Sequence, residues 1–87
     1  PPDIISPLAN TAYVIRSGGE SRRTLVLHAA CDADSSELFW FADSVFVGRA
    51  EPGRKLFWLP AAGTHLVTAV DSNGRSSSVR ITVSAGE

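Results

Sequence analysis

The sequence predicts an all-β domain, a sandwich of two antiparallel sheets with seven or eight strands. Three observations predict it. Side chains alternate with a period of two in the last third of the chain. There His65, Val67, Ala69 and Asp71 share one face, as do Val79, Ile81 and Val83, with Ser78, Arg80 and Thr82 pointing oppositely. Turn residues recur at intervals of roughly ten residues. No stretch carries the three-and-four spacing of an amphipathic helix.

Each element follows in order. Pro1 to Asp3 form an entering linker, and Ile4-Ile5-Ser6 centre the first strand. Pro7 has no N–H for a ladder, so it ends that strand or lies on an edge. Leu8-Ala9-Asn10 is a turn, and Thr11–Arg16 is a second short strand. The paired glycines Gly18 and Gly19 make the stretch from Ser17 to Ser21 a loop. Thr24 to Cys31 is the next strand. Its more apolar set, Leu25, Leu27, Ala29 and Cys31, faces inward, and Thr24, Val26, His28 and Ala30 face the other way.

Asp32 to Ser36 is an acidic connection. Leu38 to Asp43 and Val45 to Val47 pair as a hairpin across a short turn. Gly48 to Gly53 is a loop holding the turn dipeptide Pro52-Gly53. Lys55 to Leu59 is a strand stopped by Pro60. Gly63 opens the final hairpin, whose Asn73-Gly74 reads as a type I′ turn, since both residues tolerate positive φ.

The chain has 87 residues, 44% hydrophobic and 20% charged, which suits one small domain, residues 1–87. A net charge of −1 gives no basic footprint for nucleic acid or an anionic membrane. No apolar run approaches the ~20 residues of a membrane span. With no methionine and a Pro1-Pro2 start, the chain reads as a piece of a longer protein or a processed chain. Cys31 is alone, so an intrachain disulfide is excluded.

The residues offer little chemistry. Ser, His and Asp are present, but no Gly-x-Ser-x-Gly elbow occurs, and His28 and His65 sit within strands. His65 is expected to be half-buried and bonded to a neighbouring loop. Asp32, Asp34 and Glu37 resemble the start of a calcium loop but lack the sixth-position glycine and distal glutamate, so a solvated acidic loop is expected. One Cys and two scattered His are too few for zinc, and no metal or cofactor is expected. Asp71 is expected to accept backbone N–H groups at its turn, a structural role.

A binding role remains. If Leu38, Trp40 and Ala42 face the core, Phe39 and Phe41 face outward, and so do Leu66, Thr68 and Val70 of the final hairpin. These five residues form a candidate interaction surface if the two strands share a sheet. Exposed apolar clusters of a few hundred Å² often mark such sites. The alternative is cover by a domain or linker of a parent chain. Trp40 is expected in the core. Trp58 is either core or, with Phe57, a platform for stacking on sugar rings.

Several segments in one order carry a resemblance: Leu38-Phe-Trp-Phe-Ala-Asp43, Val47-Gly48, Leu56-Phe-Trp58 with Pro60, Gly63-Thr-His65, Thr68 to Ser76, and Val79 to Val83. Together with Ile4-Ile-Ser-Pro7 they resemble the C-terminal domain of bifunctional class A penicillin-binding proteins of the 1C type, across nearly the whole chain. Ser44 stands where that pattern usually has glycine, so the hairpin turn there is expected to differ locally.

The resemblance implies an immunoglobulin-like sandwich and a membrane-anchored parent with glycosyltransferase and transpeptidase domains. It implies a periplasmic location, with Cys31 a small buried hydrophobe. The Ser-x-x-Lys, Ser-x-Asn and Lys-Thr-Gly elements of a transpeptidase are absent, so no catalytic residue carries over. The expected role is non-catalytic docking to the parent synthase's domains or another cell-envelope protein. The alternative is recognition of peptidoglycan glycan strands. Nucleic acid and direct membrane insertion are not expected.

Overall fold

The computed structural model describes residues 2–16, 25–31 and 36–86. Eight strands form among them, and no helix. They are β1 (Asp3–Ser6), β2 (Thr11–Arg16), β3 (Leu25–Ala30), β4 (Leu38–Ala42), β5 (Val45–Ala50), β6 (Leu56–Trp58), β7 (Gly63–Asp71) and β8 (Ser76–Gly86). One sheet has three strands in the order β1-β3-β6, and the other five in the order β2-β8-β7-β4-β5. The expected loop at Ser17 to Ser21 and the acidic stretch Asp32 to Ser35 lie outside the described residues.

The core is where the inward phases of the two sheets meet. Leu27 and Ala29 of β3 face Leu38 and Trp40 of β4, Val67 and Ala69 of β7, and Ile81 and Val83 of β8. Trp40 is fully buried, as its phase predicts. Cys31, Leu25, Leu56 and Trp58 are partly buried against this cluster. Large aromatic and aliphatic side chains on alternating positions supply most of the burial a domain this small can reach.

Four local expectations need correction. Asp3 is not linker: it pairs with Ala30 as the first residue of β1, and the Pro2 carbonyl accepts the Ser77 hydroxyl at 2.5 Å. Residues 48–50 belong to β5 rather than a loop, because Gly48 lies across from Trp40 and Arg49 from Phe39. The β7–β8 turn is not type I′. Gly74 alone takes a positive φ, 84°, while its N–H bonds the Asp71 carbonyl at 3.0 Å and the Asp71 N–H bonds the Arg75 carbonyl at 2.8 Å. The longer loop needs one left-handed residue, not two. Finally, β2 runs parallel to β8 while the other pairs are antiparallel. The chain crosses from the small sheet to the large one after the cis peptide at Ser6-Pro7, and so enters the large sheet beside its last strand.

The two-residue turn lies instead between β4 and β5, at Asp43 (φ 52°) and Ser44 (φ 69°). Ser44 stands here where the resembled pattern usually has glycine. Serine holds the left-handed conformation there despite its Cβ.

Candidate functional site

Strands β5, β4 and β7 lie side by side, and their register builds the outer face of the large sheet. Phe39 pairs with Val70 and Phe41 with Thr68. Paired residues on adjacent strands point to the same side, so the expected five residues do share one face. Phe39, Phe41, Thr68 and Val70 are half-buried, and Leu66 is exposed. Thr68 Oγ1 lies 2.8 Å from Ser78 Oγ on β8, where the face turns polar.

One member of this face escaped the sequence reading. Phe46 of β5 pairs with Phe41, and their rings meet edge-on with centroids 5.7 Å apart. Phe46 is 56% exposed. The signal was available, since a two-residue turn at Asp43-Ser44 puts position 41 opposite position 46. The ladder then slips by one residue, at Val47, before Trp40 meets Gly48.

Phe46 also borders a second feature. Strands β5 and β6 are the edge strands of the two sheets on the same side of the sandwich. Between them opens a groove of about 530 Å³. Val45, Phe46, Phe57 and Leu59 line it and are all exposed, and Trp58 contributes from β6. Phe57 and Trp58 are consecutive on a strand, so they point to opposite faces. Phe57 faces out, while Trp58 packs against the core.

At the end of the groove His65 meets Trp58 edge-on, centroids 5.3 Å apart. Its Nδ1 lies 2.6 Å from Asp43 Oδ2, and its Nε2 lies 2.6 Å from the Ala61 carbonyl oxygen. Asp43 Oδ1 accepts the Leu66 N–H at 2.9 Å. That backbone bond first, and the His65 bond second, hold the Asp43 carboxyl below the usual range. Burial pulls the His65 pKa down, but the Ala61 carbonyl and the Asp43 carboxylate together outweigh it and raise it. This is the loop-bonded histidine the sequence predicts.

The pair does not serve nucleophilic catalysis in this geometry. A base must reach a nucleophile with the nitrogen that its orienting carboxylate leaves free, and here that nitrogen is engaged by Ala61. Among the described residues, no three metal-ligating side chains come together. Glu37, of the expected acidic loop, lies 3.6 Å from Arg49.

The residues that carry the resemblance have structural duties. Thr68 bonds Ser78, Gly74 turns the chain, and Asp71 accepts the N–H groups of Asn73 and Arg75 and the Nε of Arg75 at 2.8–2.9 Å. Pro60 is buried beside Trp58.

Comparison with known proteins agrees on fold and family. A solved structure of the fibronectin(III)-like modules of Clostridium thermocellum CbhA is similar over 99% of each chain, with a TM-score of 0.70 and 22% identity. That likeness is one of fold, an immunoglobulin-like sandwich. Among curated proteins none matches. The model of the Penicillin-Binding Protein C-terminus Family matches residues 1–81. The match spans every strand from β1 through the core residue Ile81, and on it the chain belongs to the penicillin-binding protein C-terminus family.

Proposed function

We propose that this chain is a non-catalytic accessory domain of a bifunctional peptidoglycan synthase and that it docks to protein. The partner is the synthase's own glycosyltransferase or transpeptidase domain, or another cell-envelope protein. Family membership supports the parent, and with it a periplasmic position as part of an inner-membrane-anchored protein. Among the described residues no helix is long and apolar enough to cross a membrane.

One observation carries the docking reading. The register of β5, β4 and β7 gathers Phe46, Phe41, Phe39, Leu66 and Val70 onto one side of a sheet whose other side is the core. A contiguous apolar face of this kind on a small domain suits a protein partner. Titration calorimetry with the parent's transpeptidase domain tests it. Phe39→Ser with Phe41→Ser is expected to weaken binding at least tenfold while thermal unfolding stays cooperative. Phe46→Ser with Leu66→Ser, at more exposed positions, is the second pair should the first lose its fold. Unchanged affinity in folded variants would exclude this face.

The second reading is peptidoglycan recognition in the groove. Phe57 favours it, being 64% exposed beside Trp58. Amide-resolved NMR titration with soluble peptidoglycan fragments separates the two. Shifts confined to β6 and the groove support glycan binding. Silence at millimolar ligand leaves protein docking.

A further inference from the structure

His65 sits between two groups that can only accept a hydrogen bond. The Ala61 carbonyl has no proton to give, and neither has an ionised carboxylate such as Asp43. A neutral imidazole carries one N–H, so one ring nitrogen would present a lone pair to an oxygen 2.6 Å away. Only the imidazolium donates at both contacts. The side chain is 12% exposed, so water has little room to relieve a mismatch.

The two acceptors belong to different parts of the chain. Asp43 is in the turn between β4 and β5, and Ala61 is in the link between β6 and β7. Both pieces line the groove, the turn through Asp43 and the link through Leu59 and Ala61. We propose that His65 is a proton-operated clasp that ties the β4–β5 turn to the β6–β7 link and sets the shape of the groove between the sheet edges. Protonated, it holds both. Deprotonated, it keeps Nδ1–H on the charged Asp43, turns a bare Nε2 toward Ala61, and releases the link, with Leu59 moving away from β5.

The surroundings favour a single switch. Asp43 and His65 are the titratable groups among the groove's described lining residues. β6 presents the Trp58 ring to the histidine, and β8 pairs Ile81 with it. Asp43 keeps its charge through the histidine range, because its N–H and imidazole bonds favour the carboxylate. Nothing here depends on a docking partner, so the clasp and the docking reading succeed or fail separately.

The test is 1H–15N spectroscopy of the whole chain between about pH 5 and pH 9, following the imidazole nitrogens and backbone amides. Below the midpoint both ring nitrogens are expected to carry protons, and above it only Nδ1. The midpoint should lie above the ordinary histidine value of about 6.5. Amides of Trp58, Leu59, Ala61 and Ala62 should move with that same midpoint. Asp43→Asn should lower the proton affinity of His65 about tenfold and shift those amides with it. His65→Gln should abolish their response. A midpoint at or below the ordinary value overturns the clasp, as do link amides that ignore the histidine's titration.

Discussion

The carboxylate of Asp71 is 2% exposed, at the base of the β7–β8 turn. It accepts the N–H groups of Asn73 and Arg75 through Oδ1 and the Arg75 Nε through Oδ2. Asp71→Ala would strip an acceptor from two backbone donors and a guanidinium at once. We expect a loss of about 3 kcal/mol in urea unfolding. Ser44 works in the other direction. Its φ of 69° strains a residue with a Cβ, so Ser44→Gly should raise stability by about 1 kcal/mol, read from the same unfolding curve. His65 adds a pH dependence. Its pKa is raised in the fold, so its contribution is complete below the unfolded value and disappears as pH rises through the folded one. Asp43 is lowered, so its share is present above the ordinary carboxylate value and lost as pH falls through the folded one. The stability advantage over His65→Gln should therefore be largest in mildly acidic solution and shrink toward alkaline pH. A constant gap across that range would show that the pair contributes no linkage.

Strand β5 shows how one element serves both a core and a surface. Phe46 points out beside Phe41, and after the one-residue slip at Val47 the backbone presents Gly48 inward across from Trp40. A Cβ at Gly48 would meet Leu56 Cδ2 at 3.1 Å. The absent side chain lets β6 approach β5, which draws the two sheet edges together. Leu56 is flexible at its far end, so Gly48→Ala should be tolerated with a small loss. Gly48→Val adds two methyls into the same space and should cost about 2 kcal/mol through overpacking. If thermal unfolding of the valine variant matches the parent chain, the sheet edges are less closely packed than their geometry indicates.

Across the whole molecule the two tryptophans report on different layers. Trp40 is buried between the sheets, whereas Trp58 lies half-buried at their open edge. Acrylamide should quench two populations of fluorescence, one of them nearly inaccessible. Trp58→Phe should remove the quenchable one and leave the shielded signal of Trp40. The same contrast separates the candidate surfaces from the core. Replacing Trp40 with alanine should cost about 4 kcal/mol, because both sheets lose their shared contact. Replacing Phe46 or Leu66 with serine should cost far less, since each already meets solvent.

Period two was written into the chain, and it determined a great deal. Alternation in Thr24–Cys31, Leu38–Asp43 and the last hairpin assigned Leu27, Trp40, Val67 and Ile81 to the interior without any knowledge of partners, because neighbouring side chains on a strand must point oppositely. That same alternation sent Phe39, Phe41, Leu66, Thr68 and Val70 outward, and residue order carried the family. What alternation could not say was which strands would be neighbours. Pairing is a long-range choice, settled by how two sheets cover one another. Only the tertiary structure therefore set β2 parallel to β8 and opened a groove between β5 and β6. It alone joined His65 to Asp43, 22 residues away along the chain, across a turn whose left-handed serine no propensity favours.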